Sequence, residues 1–189
     1  MKQAVKIAVL GCGTVGAQVV RLLQERAADY QARCGASLEI IGICVNNLAA
    51  PRPDFISREL LTDQAESLID QADLVIELIG GIEPARTYIT RALEAGKSVV
   101  TGNKALLAQH GPELFDLSRQ READLYYEAA VAGAIPVVYG LRESLAGDRV
   151  QVVQGIVNGT TNYMLDQMAK KGWSFEQALS TAQELGYAE

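Results

Sequence analysis

A chain of 189 residues has room for one complete α/β domain and part of another. Its 49% hydrophobic and 21% charged residues are the balance of a soluble globular protein, and no apolar run nears the roughly 18 residues of a membrane span. The net charge of −6 speaks against a nucleic-acid or anionic-membrane surface, since both need clustered positive charge. The segment ahead of the first glycines is too short for a signal peptide and reads directly as a strand. Cys12, Cys34 and Cys44 are odd in number and lack metal-ligand spacing, so they read as reduced thiols of a cytoplasmic protein.

The first informative stretch is residues 5–16, VKIAVLGCGTVG. An apolar run, Ile7 to Leu10, enters a cluster in which Gly11, Gly13 and Gly16 fit G-x-G-x-x-G, and a helix with Val19, Leu22 and Leu23 at helical spacing follows over residues 15–28. Gly11 permits a tight turn out of the strand, Gly13 lets backbone approach a pyrophosphate, and Gly16 lets the helix pack on the strand. The turn Gly11-Cys12-Gly13-Thr14-Val15-Gly16 is therefore a candidate dinucleotide site, with the helix N-terminus turned to the phosphates. After a polar link, residues 38–45 (LEIIGICV) form a near-continuous apolar run suited to a parallel strand buried on both faces. Many NAD-binding folds carry an acidic residue near the end of this strand; here Asn46 and Asn47 stand in its place, followed by Arg52. Arg52 is either a partner for a 2′-phosphate or a solvated loop cation, which makes NADP at least as well supported as NAD.

Pro51 and Pro53 mark a loop, residues 63–71 a short helix, and residues 74–79 (LVIELI) the next buried strand, ending in Gly80-Gly81. Glycines at that end sit where ligands dock in doubly wound sheets, which places Gly80 among the cofactor contacts. Glu77 interrupts the apolar run; a buried carboxylate needs a partner, and a structural role is the expectation. Pro84 opens a helix carrying Ile89, Ala92 and Leu93, which Gly96 stops. Residues 98–101 form a fourth strand ahead of Gly102-Asn103-Lys104, helical segments lie within residues 105–123, and residues 124–127 form a fifth strand. Gln109-His110-Gly111-Pro112 reads as a helix-breaking patch with His110, the one histidine, facing solvent and without a catalytic role. Alternating strands and helices imply a parallel sheet with right-handed crossovers.

Beyond Glu128 the character changes. The small, glycine-bearing AAVAGAIP suits a close-packed turn; a helix near residues 136–145, a strand near 150–157, the polar loop Asn158-Gly159-Thr160-Thr161-Asn162 and a helix with Tyr163, Met164 and Met168 follow. The last helix opens with a capping-box pattern, Ser174-x-x-Gln177, and Ala178, Ala182 and Leu185 form its apolar stripe before Gly186. The expected organisation is a doubly wound parallel-sheet Rossmann domain over residues 1–130, then residues 131–189 as the start of an α+β substrate and dimerisation domain. Some 60 residues bury little core alone and call for more chain or a partner subunit.

Three clusters carry candidate chemistry. A cation at a helix N-terminus is disfavoured by the dipole, so Lys104 after the fourth strand is suited to proton transfer or to polarising a carbonyl, the alternative being an ordinary surface lysine. Glu128 with the carbonyls of the AVAGAI turn is a hard-cation site in principle, although a turn packed against a helix explains the same residues. The NGTTN loop can orient a small polar substrate, cap a helix, or do both.

Taken together, GCGTVG, IGGIEPAR, SVVTGNKALLA, LYYEAAVAGAIPV, GIVNGTTNYML and the terminal LGYAE resemble the homoserine dehydrogenase family in order and spacing over nearly the whole chain. The resemblance implies interconversion of L-homoserine and L-aspartate 4-semialdehyde, on the route to threonine, methionine and isoleucine, with hydride passing to or from NAD or NADP. It places Lys104 beside the nicotinamide and the substrate hydroxyl, and Thr160 at the nicotinamide pocket. It makes Glu189 the carboxylate that grips the substrate's amino group. It also assigns Glu128 and the carbonyls of Val131, Gly133 and Ile135 to a sodium site that orders the junction between domains. In the family, GYAE is followed by an aspartate, a second lysine that moves the proton, and the remainder of a homodimerisation sheet. By that comparison this chain is an incomplete form with very low activity of its own.

Two other readings compete. A non-catalytic nicotinamide-nucleotide-binding module needs no Lys104, Glu128 or NGTTN. An acyl-transferring semialdehyde dehydrogenase needs a nucleophilic cysteine near a histidine, and none of the three cysteines is so placed.

Overall fold

The computed structural model describes residues 4–156 and 158–187. The chain divides into two compact units, Met1–Gly133 and Ala134–Glu189.

The first unit is built on a six-stranded parallel sheet: β1 (Ala4–Leu10), β2 (Ser37–Cys44), β3 (Leu61–Thr62), β4 (Leu74–Glu77), β5 (Ser98–Thr101) and β6 (Leu125–Tyr126), in the spatial order β3-β2-β1-β4-β5-β6. Its helices are α1 (Thr14–Glu25), α2 (Ala27–Cys34), α3 (Ala65–Gln71), α4 (Ala85–Glu94) and α5 (Lys104–Gln120). Apolar residues on successive strand positions are buried on opposite faces, as the continuous runs require. Ala8, Leu10, Val75 and Val99 pack under Leu68 and Ile69 of α3, Ile89 and Leu93 of α4, and Leu106 and Leu114 of α5. Ile7, Val9, Ile43 and Ile76 pack on the other side with Ala17 and Val20 of α1 and with Ile56. A full turn of large apolar side chains on both faces, each stabilising by about 1.5–3 kcal/mol, makes this half a well-filled core. Both border strands, β3 and β6, are only two residues long.

The elements differ from expectation in three places here, the first being the unforeseen two-residue β3. Residues 27–34, read as the end of the first helix and the start of a polar link, form a separate α2, which buries none of its residues. It has no apolar stripe to betray it; an Arg33–Asp29 pair at 3.1 Å and a left-handed Gly35 cap hold it instead. The patch around Pro112 does not break α5 either: Pro112 lies inside the helix, and Gly111 and Leu114 remain buried against the core. Packing outweighs the one hydrogen bond that proline removes. His110 is half-buried and not fully solvent-facing; its side chain is 23% exposed and lies 3.5 Å from Glu113.

In the second unit, α6 (Val137–Tyr139) runs into a wider π turn, Gly140–Ser144, and α7 (Gly159–Lys171) and α8 (Phe175–Glu184) pack on each other. Their shared core is small: Met164, Ala178 and Ala182, with Tyr163, Met168, Trp173 and Leu179 around them. The capping box is formed as expected, Gln177 N–H donating to Ser174 Oγ and Ser174 N–H to Gln177 Oε1, both at 3.2 Å. The strand expected near 150–157 is not one: residues 150–156 have no regular pairing, and Val157 lies outside the described residues. A strand needs a neighbour for its backbone groups, and alternation of apolar residues alone does not supply one.

Candidate active site at the carboxyl edge of the sheet

Three of the predicted segments come to one edge. The glycine turn follows β1, Gly80-Gly81 follows β4 and Lys104 opens α5 after β5. Because β1, β4 and β5 are consecutive in a parallel sheet, these ends are neighbours, spaced by about 4.8 Å per strand. The order reverses between β1 and β4, so the turn sits at the switch point where open α/β sheets bind ligands.

Each motif glycine has a distinct physical role. Gly11 has a φ of +98°, and a Cβ there would lie 2.6 Å from the Leu78 carbonyl oxygen. A Cβ on Gly16 would lie 2.2 Å from the Gly11 carbonyl oxygen, so α1 can start this close to the turn only with glycine. Gly13 is different: its φ of −79° suits any residue, and a Cβ would meet nothing within 4 Å. No internal contact asks for glycine at 13, and the space beside it is open to a group from outside. Gly13 is also the N-cap of the 12-residue α1, which has neither a capping side chain nor an acidic residue in its first turn. Its leading N–H groups and positive dipole end suit an anion. These observations fit a dinucleotide's pyrophosphate.

Arg52 reaches the same turn. One guanidinium nitrogen donates to the Cys12 carbonyl and another to the Asn47 carbonyl at 3.4 Å, while Nε is buried without a partner among the described residues. Asn47 holds its own loop, its Oδ1 accepting from the Ala49 and Ala50 N–H groups at 3.0 and 3.1 Å. The cation is thus held beside the glycine turn at the end of β2.

Beneath Gly80 and Lys104 lies a polar network that sequence reasoning located only in part. Glu77, fully buried, accepts at Oε1 from the Ile79 N–H (2.8 Å) and the Gly80 N–H (3.3 Å), and at Oε2 from the Thr101 hydroxyl (2.6 Å). Thr101 Oγ1 in turn accepts from the Asn103 N–H at 3.0 Å. Asn103 donates to the Gly81 carbonyl at 2.7 Å and caps α5 by accepting from the Leu106 N–H at 3.1 Å. The structural role expected for Glu77 is met by these three bonds. Asn103 is legible in the sequence as an N-cap residue ahead of an apolar helix. Thr101 is not, since a strand threonine resembles any other.

Glu128 stands at the same carboxyl edge, since β6 pairs with β5 and Ala129 lies against Gly102. Glu128 follows β6 in a 3-10 turn, Glu128–Ala130, with Val131 and Gly133 close behind, and Ala132 adopts a left-handed φ of +50° that alanine rarely takes. One carboxylate with backbone carbonyls is an oxygen donor set suited to a hard cation. Ile135 and Thr160 belong to the second unit; the Ile135 carbonyl accepts from the Val137 N–H at 2.8 Å, and the Thr160 hydroxyl donates to the Tyr187 carbonyl. Asn158 caps α7 by accepting from the Thr161 N–H at 2.9 Å, so the capping reading of NGTTN holds. Glu189 lies outside the described residues. All three cysteines are free thiols.

A parallel sheet in the order 3-2-1-4-5-6 with a glycine turn opening its first helix defines a nucleotide-binding domain of the Rossmann class. Residues 11–128 match the family described as homoserine dehydrogenase, NAD binding domain, and residues 136–189 match the family described as homoserine dehydrogenase. The chain belongs to the homoserine dehydrogenase family. It is 53% identical over 188 residues to the homoserine dehydrogenase of Corynebacterium glutamicum, covering 98% of this chain and 42% of that protein. The crystal structure of a homoserine dehydrogenase from Thiobacillus denitrificans is 38% identical with a TM-score of 0.83, over 98% of this chain and 43% of that one. A hyperthermophilic archaeal homoserine dehydrogenase in complex with NADPH shares the fold at 24% identity and a TM-score of 0.78, over 98% of this chain and 62% of that one. The chain therefore spans less than half the length of the curated relative it matches.

Proposed function

We propose that this polypeptide is the cofactor-binding part, with the start of the substrate domain, of an oxidoreductase interconverting L-homoserine and L-aspartate 4-semialdehyde with NADP or NAD. The observation that carries the reading is the glycine turn with its open Gly13, on one sheet edge with Lys104. Residues 1–130 form the cofactor domain and residues 131–189 begin the domain for substrate and homodimerisation. The nicotinamide, when bound, accepts or gives the hydride at the carbon bearing the substrate's oxygen. The chain's own residues do the rest. Gly11, Cys12, Gly13, Thr14, Val15 and Gly16 seat the pyrophosphate, Gly80 leaves room for the nicotinamide half, and Arg52 meets a 2′-phosphate, which favours NADP. Lys104 holds the substrate oxygen as it changes between hydroxyl and carbonyl, Thr160 lines the pocket, and Glu189 binds the substrate's ammonium. Glu128 with the carbonyls of Val131, Gly133 and Ile135 holds a sodium ion that orders the backbone there. The enzyme works in the cytoplasm on a small-molecule substrate, without nucleic acid or membrane.

The test is a fluorescence titration with NADPH and NADH. The chain is expected to bind NADPH with micromolar or better affinity, and Gly13→Val to weaken it at least about a hundredfold with an unchanged thermal midpoint, because the new side chain fills only the phosphate's space. Failure of the unsubstituted chain to bind either nicotinamide overturns the assignment.

A further inference from the structure

We propose that Glu77 is a positioning residue for the nicotinamide half of the cofactor, acting through Thr101 and Asn103; the inference rests on the cofactor reading above. The network joins the two segments that flank that half. Its carboxylate draws the Ile79 and Gly80 amides inward, and through the Thr101 hydroxyl and the Asn103 backbone it reaches the N-cap of α5, whose first residue is Lys104. Asn103 closes the circuit by donating to Gly81. Gly80 and Gly81 adopt φ values of +81° and +72°. Neither would bring a Cβ against any neighbour, and the Glu77 and Asn103 hydrogen bonds reach this turn directly.

The glycine turn has bonds of its own. Leu78 N–H donates to the Leu10 carbonyl at 2.8 Å and Gly11 N–H to the Cys44 carbonyl at 2.9 Å, main-chain bonds that involve no carboxylate. The pyrophosphate seat and the nicotinamide seat meet at Leu78, whose N–H donates to Leu10 and whose carbonyl packs against Gly11, and Glu77 holds the side that runs on to Ile79 and Gly80. A buried carboxylate also costs desolvation free energy that a smaller polar residue would avoid, which calls for a return beyond filling space.

The geometry makes Glu77→Gln informative. A carboxamide offers one acceptor oxygen and one donor nitrogen. Facing its oxygen to the loop amides leaves the Thr101 hydroxyl proton without an acceptor; facing it to Thr101 sets N–H groups against N–H groups. Either way a buried donor is orphaned and the Ile79–Gly81 turn loosens. Thr101→Val removes the same link while keeping shape and strand propensity, and Thr101→Ser keeps the hydroxyl.

The experiment measures binding of NADPH and of ADP, which carries the pyrophosphate and adenosine but no nicotinamide, to the 189-residue chain and these variants. Glu77→Gln and Thr101→Val are expected to weaken NADPH roughly tenfold with ADP affinity within a factor of two, while Thr101→Ser matches the parent. Hydrogen exchange at the Ile79 and Gly80 amides is expected to quicken in the first two variants only. Equal weakening of both ligands, or weakening of neither, overturns the positioning role while leaving the cofactor assignment intact. If the parent chain binds neither ligand, both fall.

Discussion

The two units bury their apolar residues to very different extents. In the first, large aliphatic side chains on both faces of the sheet, Leu10, Ile43, Ile89, Leu93 and Leu114 among them, are almost wholly removed from water. In the second, the shared core reduces to Met164, Ala178 and Ala182, while Val152, Val153, Ile156, Leu165 and Phe175 are each more than half exposed. A sheet covered by helices on both faces completes its core from local sequence. Two helices and an unpaired 150–156 segment do not, and the contrast teaches which half carries its own stability.

The largest effect should separate the halves outright. Ile89→Ala, in the packed side of the sheet, is expected to cost about 2–5 kcal/mol in urea unfolding followed by circular dichroism, and Val153→Ala under about 0.5 kcal/mol. Equal losses would erase the contrast. A smaller effect tests the second unit alone. Trp173 is the only tryptophan, and the Lys171 ammonium lies 4.5 Å from its ring centroid, so its fluorescence reports on the α7–α8 pair. Ser174→Ala, which removes the capping box, should lower the stability read by that signal by about 1 kcal/mol and leave nicotinamide binding untouched.

The smallest effect is electrostatic and confined to the first unit. Arg91 donates to both Asp70 oxygens at 3.0 and 2.8 Å, and Arg86 to Glu113 at 2.7 Å, and these guanidinium hydrogen bonds hold both carboxyls below their ordinary values. A carboxyl whose folded pKa is depressed stabilises the fold above its unfolded value, near 4, and loses that contribution as pH falls through the folded value. Acid titration of the circular-dichroism signal should therefore show midpoint stability falling below about pH 4, with a shallower slope in Asp70→Asn. An unchanged slope would mean that solvent screens the pair completely.

Much of the sheet was legible because a strand buried on both faces writes itself as an uninterrupted apolar run: β5 lies where residues 98–101 indicated, and β4 differs only at its end. The glycine turn was legible because its order, strand then glycines then amphipathic helix, is physically required. What stayed hidden has no pattern of its own. α2 buries none of its residues, β3 is two residues, and Thr101 acquires its meaning only when β5 is laid beside β4 and its hydroxyl meets Glu77. Positions such as Gly80 and Asn103 were readable as residue types, while the bonds joining them are long-range facts of the fold.

The stubby margin of the sheet at β6 bears on how the protein behaves in company. At the border formed by Leu125–Tyr126 a stray extended segment finds barely two rungs to grip, so zipping into fibrillar stacks is discouraged from that side.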